Sequence, residues 1–225
     1  MKGISSHTIY ILVAILLFNF SCTEDPVSNT SDLEDSLDPV EKVVAIEGGE
    51  SATITVEKDS KAFFTIKFSE IKPNNIIQNG IKEGWCIDWQ KPINSNNGTY
   101  NEIKLYSTYL VEKWMPVNYL LNIQENLQAN DPEITYREIQ LAIWSLRANP
   151  EFNLDEVDLN DLPNRFMKDG QAAFNAKKVN EVLNMVETGY RDYDFSPSGT
   201  KFAVIAETPV DVQTVFGVVE VEDGN

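Results

Sequence analysis

The hydrophobic period of this chain changes twice, and that limits the folds open to it. From Val43, the segments VVAI, SATITVEK and KAFFTIKFSEI alternate apolar and polar residues with period two. Gly48-Gly49 and Lys58-Asp59-Ser60 separate them, which is a strand and hairpin signature. GWCIDW (84–89) reads as a further strand, and NSNNG (94–98) as turn material. The middle then moves to helical spacing. Pro116 to Leu127 carries Val117, Leu120, Leu121 and Leu127 on one face. Thr135 and Glu138 have the spacing of a capping box that opens the helix TYREIQLAIWSLRA. A third helix is expected from Gln171 to Thr188. The end returns to strands, KFAVIAET and VDVQTVFGVVEV. Strands, helices and strands again predict an α+β fold: a β-sandwich or barrel of N- and C-terminal strands with an inserted helical subdomain.

The segment before Val43 has a different character. Lys2 precedes an apolar run from Ile9 to Phe18, about ten residues long. That is too short to span a bilayer as a helix and has the length of a signal-peptide core. Ser21 then Cys22 resembles the lipobox of bacterial lipoproteins, in the relaxed form of the Bacteroidetes, with Asn19 and Phe20 departing from the usual pattern. The resemblance implies a signal peptide over residues 1–21, lipid on Cys22, membrane attachment through that lipid and a place on the bacterial outer membrane, exposed at the cell surface. Thr23 to Lys42 holds seven acidic residues and one lysine, so residues 22–42 read as a flexible, self-repelling tether. Residues 43–225 are left, about 180 residues, enough for one domain with a core.

Composition then narrows the chemistry. The net charge is -17, with 35 acidic against 18 basic residues, which argues against nucleic acid as a partner. The one histidine, His7, lies in the leader. A chain processed at Cys22 has none, so Ser-His-Asp, Cys-His and histidine-zinc chemistry are excluded from it. No Gly-rich phosphate loop appears, and no cofactor or metal is expected. A conventional enzyme is the weakest reading, with a two-carboxylate glycosidase as the form left open, and the chain is not expected to be an enzyme. Carboxylates are plentiful, as in DEVDLND (155–161), but that run has no EF-hand spacing and reads as a solvated acidic loop.

Two residues stand out from this background. With Cys22 lipidated, Cys86 has no disulfide partner. Gln140 shares a helical stripe with Tyr136 and Trp144, beside Ile139, Ala142, Ile143 and Leu146, so its amide lies in apolar surroundings and needs hydrogen bonds. Each has a structural reading, a buried small hydrophobe and a hydrogen-bonded core amide.

Together, Cys86-Ile87-Asp88 and Gln140-Leu141-Ala142-Ile143-Trp144 resemble the two motifs of the thioester domains of bacterial surface adhesins. Ile139 stands where that family usually has Thr, and NYLLN (118–122) is also similar. The resemblance implies an internal thioester between Cys86 and Gln140 that covalently captures an amine on a host or neighbouring cell surface. Trp85, Trp89, Tyr136 and Trp144 are expected to exclude water from it, or simply to pack the core. Asp88 is read either as an exposed strand-end acid or as a group that orients the amine or the thioester carbonyl. The alternative function is a non-covalent glycan- or protein-binding lipoprotein, in which tryptophan and tyrosine rings offer stacking surfaces.

Overall fold

The computed structural model describes residues 43–148 and 150–222, so the leader, the tether and Cys22 lie outside the described residues. Strands β1 (Val44–Ala45), β2 (Ala52–Lys58), β3 (Phe64–Ser69), β4 (Gly80–Cys86) and β5 (Asn96–Ser107) come first. Helices α1 (Met115–Asn130) and α2 (Tyr136–Arg147) follow. A two-residue-per-strand hairpin, β6 (Met167–Lys168) and β7 (Gln171–Ala172), precedes α3 (Ala176–Gly189). Strands β8 (Lys201–Glu207) and β9 (Val215–Glu220) complete the order.

All pairings are antiparallel, and β5-β2-β3-β4-β9-β8 closes on itself through a β5–β8 pairing. The fold is therefore an α+β barrel of six strands, with β1 added at the end of β5 and the helices inserted between β5 and β8. Closure removes open sheet edges. It is possible because β5 is long: Asn96 to Ile103 pairs with β2, and Lys104 to Ser107 pairs with β8.

β5 departs from the turn expected at 94–98. Asn97 and Glu102 adopt positive φ, and the β2–β5 register shifts at two places. The bulges break the period-two alternation that marks a strand in sequence. β4 starts at Gly80 and ends at Cys86, so the expected strand at 84–89 is only half strand. α3 begins at Ala176, not Gln171. Asn175 caps it by accepting a hydrogen bond from Lys177 N (3.1 Å), and the preceding residues are used by the β6–β7 hairpin.

α2 is the central helix. Its capping box forms, with the Thr135 side chain accepting from Arg137 N and Glu138 Oε2 accepting from Thr135 N. Every residue from Glu138 to Trp144 is buried, so the helix is enclosed all round. Across the barrel wall, Gly84 of β4 lies opposite Gly217 of β9. A Cβ on Gly84 would stand 2.5 Å from Ile66 Cδ1, and one on Gly217 would stand 2.6 Å from Phe68 Cε2. Only glycine lets those two core side chains fill the space there.

Candidate functional site around Cys86

Cys86 is the last residue of β4, facing Val215 of β9, and the ladder runs one step further through Ile87 N to Thr214 O (3.0 Å). Period two puts Gly84 and Cys86 on one face and Trp85 and Ile87 on the other. All four are buried.

Gln140 reaches Cys86 from α2. Its Oε1 accepts from Cys86 N (2.9 Å), and its Nε2 donates to Cys86 O (3.0 Å). The two residues singled out in sequence, 54 positions apart, thus meet directly in a site with no exposure at either residue. The amide replaces the strand partner that Cys86 would otherwise need. It leaves no peptide group of Cys86 unpaired, which burial would make costly.

The thiol points elsewhere. Cys86 Sγ donates to Gln213 Oε1 (3.1 Å), and Gln213 Nε2 donates to Asp88 O (2.5 Å). Gln213 sits in the β8–β9 connection, held by its own N–H on Pro92 O (3.0 Å). Cys86 is therefore flanked by two glutamine side chains, one on its backbone and one on its sulfur. Sequence reading missed Gln213. It lies 127 residues from Cys86 in a loop, and only the β4–β9 register brings it there.

Arg165 is the second residue that sequence reading missed. Its guanidinium donates to Phe63 O and to Asp59 O (2.5 Å) and lies 4.5 Å from the Phe63 and Tyr136 ring centroids. Burial pushes the Cys86 thiol well above the ordinary thiol range. The Arg165 charge draws it down, and the Asp88 charge pushes it up again. The thiol is thus neutral near pH 7.

Asp88 is not an exposed strand-end acid. It is 1% exposed, and its Oδ1 accepts from Gln90 N (2.8 Å) and Lys91 N (3.0 Å), while Lys91 Nζ stands 3.4 Å from Oδ2. It closes the turn that ends β4. Tyr136 and Trp144 flank Gln140 along α2. Trp144 packs on Phe63, Phe152 and Phe166 at ring separations of 6.1, 5.6 and 5.2 Å, and Phe63 also meets Tyr136 at 6.1 Å. Trp85 faces away from the thiol and donates to Glu83 Oε1 (2.7 Å). Trp85, Trp114 and Trp144 are fully enclosed, so Trp89 alone of the four tryptophans retains a partly open ring.

A cleft of about 380 Å³ opens beside this site. Gln213 and Arg165 form part of its wall, with Trp89, Lys91, Phe63 and Lys58. Among the described residues, no group of three His, Cys, Asp or Glu side chains is placed to hold a metal ion. Asp158, in the acidic run 155–161, accepts from Asn160 N (2.9 Å) and caps a short turn.

No protein-family model matches the chain, and no curated protein does. Among solved structures, it is similar to the N-terminal thioester domain of a surface protein from Clostridium perfringens, at 14% identity and a TM-score of 0.43, over 76% of this chain and 99% of that one. It is also similar to the N-terminal thioester domain of the fibronectin-binding protein SfbI from Streptococcus pyogenes, at 11% identity and a TM-score of 0.42, over 79% of this chain and 95% of that one. At that distance, the site is read from its own geometry.

Proposed function

We propose that this protein is a cell-surface lipoprotein adhesin that captures amines covalently through a Cys86–Gln140 thioester. One observation carries the reading. The Gln140 amide, on a helix, is seated on the peptide group of the one free cysteine among the described residues, in a dry site. The motif resemblance at Cys86–Asp88 and Gln140–Trp144 points the same way.

The chemistry follows from these groups. Cys86 Sγ turns from Gln213 to Gln140 and attacks Cδ. The C–N bond of the amide breaks, and the thiol proton leaves with that nitrogen as ammonia. Burial keeps the thiol protonated before the attack, and the Arg165 charge offsets part of that effect. The thioester holds an acyl group on a good leaving group. An incoming amine then attacks Cδ, the C–S bond breaks, and a proton from the amine returns to Sγ. Gln140 ends in an amide bond to the target. The protein reacts once, without turnover. Tyr136, Trp144 and Phe63 exclude water and so slow hydrolysis of the bond.

The lipid on Cys22 and the acidic tether project this head from the outer membrane toward amine-bearing targets on other cells. Radiolabelled palmitate is expected on the wild type and not on Cys22→Ala; equal labelling of both contradicts the anchor. Methylamine is expected to add to the wild type and not to Cys86→Ala. Equal addition to both places the reaction elsewhere.

One observation favours a second reading. The Gln140 amide already makes both of its hydrogen bonds to Cys86, which also suits an unreactive head that binds glycan or protein without a covalent bond. That reading predicts target binding that persists in Cys86→Ala.

A further inference from the structure

Gln213 is 3% exposed, yet it touches the Cys86 sulfur and borders the cleft. Three contacts fix how its amide faces. Its own N–H donates to Pro92 O (3.0 Å), and the neighbouring Thr214 O accepts from Ile87 N (3.0 Å), so the backbone is held against the end of β4. Its Nε2 donates to Asp88 O (2.5 Å). Turning the amide over would set Oε1 against that carbonyl, acceptor on acceptor in a buried site, so Oε1 stays on the Cys86 side. There its donor is the thiol of Cys86 (3.1 Å).

Thioester formation removes that donor. The thiol proton leaves with ammonia, and the sulfur turns to Gln140 Cδ. Gln213 Oε1 then faces the place the thiol has left, and a buried acceptor without a donor is unfavourable. Three donors that line the cleft with it are engaged elsewhere: Arg165 on Phe63 O and Asp59 O, Trp89 Nε1 on Pro150 O (2.9 Å), and Lys91 Nζ beside Asp88 Oδ2 (3.4 Å). An N–H that comes in through the cleft supplies the missing donor.

We infer that Gln213 Oε1 is the hydrogen-bond acceptor for the attacking amine: it takes an N–H of an uncharged primary amine while the nitrogen lone pair faces Gln140 Cδ. The inference rests on the thioester reading. As the N–Cδ bond forms, positive charge grows on the nitrogen and its N–H becomes a stronger donor, so the contact strengthens toward the transition state. The C–S bond then breaks with its electron pair on sulfur, and the proton held on the Oε1 side passes to Sγ. The thiol so formed returns to Gln213 Oε1, the contact of the unreacted form. A thiolate nucleophile brings no such proton and gains nothing from Oε1.

The test compares two small nucleophiles, methylamine and the thiolate of 2-mercaptoethanol, on the purified protein and its variants, with adducts followed by intact mass. Gln213→Met keeps the shape of the side chain and loses the oxygen, and Gln213→Leu is measured as a second variant without it. Both are expected to react with methylamine about tenfold more slowly than the wild type, the loss of one hydrogen bond to a nitrogen gaining charge, while thiolate addition stays within about twofold. Gln213→Glu keeps an oxygen and is expected to stay within about threefold of the wild type with methylamine. Unchanged methylamine rates, or methylamine and thiolate rates that change alike, in variants that carry the ammonia deficit overturn the role of Gln213 and leave the thioester standing. A Gln213→Glu rate as low as that of Gln213→Met overturns it as well. Loss of the deficit in Gln213→Met and Gln213→Leu alone overturns it too, by placing Gln213 in formation of the bond. Wild-type protein at full sequence mass overturns the thioester and this role together.

Discussion

Cys86 has two unlike walls. On the helix side, Gln140 comes from α2, buried on every face, and its amide is locked to the Cys86 peptide group. On the loop side, Gln213 comes from a connection between strands, touches the sulfur, and borders a cleft. The two glutamines present the same amide to the same cysteine. What separates them is the support behind each. A helix in a closed core holds an acyl group fixed and dry, while a loop beside a cleft leaves room for a molecule to enter. On the proposed reading, the acyl role falls to Gln140 and the positioning of the thiol to Gln213.

Several substitutions test that contrast, and the largest effect is expected from an aromatic pair. Trp144→Ala empties an enclosed space behind Gln140 and is expected to cost about 3–5 kcal/mol of stability in urea unfolding. Trp89→Ala, on the cleft side, is expected to cost roughly 1–2 kcal/mol, because its ring is already partly open. Equal losses would break the contrast between a dry wall and an open one. The glutamines come next. Gln140→Ala leaves a buried N–H and C=O of Cys86 unpaired and is expected to cost about 2–4 kcal/mol. Gln213→Ala is expected to cost about 1 kcal/mol, since water from the cleft replaces the lost contacts. A larger loss at Gln213 would make the loop the structural support.

The smallest expected effect is a pH dependence of the unreacted thiol form. Burial raises the folded thiol above its unfolded value of about 8.5, so the neutral thiol favours the fold. That contribution is complete below about pH 8.5 and is lost as pH rises toward the folded value. Unfolding free energy of the free-thiol protein is therefore expected to fall more steeply above pH 8.5 than that of Cys86→Ala. Parallel curves would show that burial does not hold the thiol neutral.

The part of this site that could be read from sequence is the part carried by local pattern. Cys86 stood out as a lone cysteine in a strand, and Gln140 as an amide in an apolar helix. Both follow from neighbours within one turn or one strand. The capping box at Thr135 and Glu138 formed for the same reason. Gln213 and Arg165 had no local signal, because their meaning depends on strand register and on a loop folding back over Phe63. Asp88 was ambiguous because its partners, Gln90 N and Lys91 N, belong to a turn whose shape sequence does not specify. β5 was hidden by its own bulges and polar residues, although its length is what closes the barrel and so places β4 beside β9.

The central claim is that Cys86 and Gln140 form a bond. Intact-mass spectrometry of freshly purified, unheated protein tests it most directly. The account predicts a mass below the mature sequence value by one ammonia, restored to the full value in Cys86→Ala once the substitution itself is allowed for. Wild-type protein at its full sequence mass would contradict it.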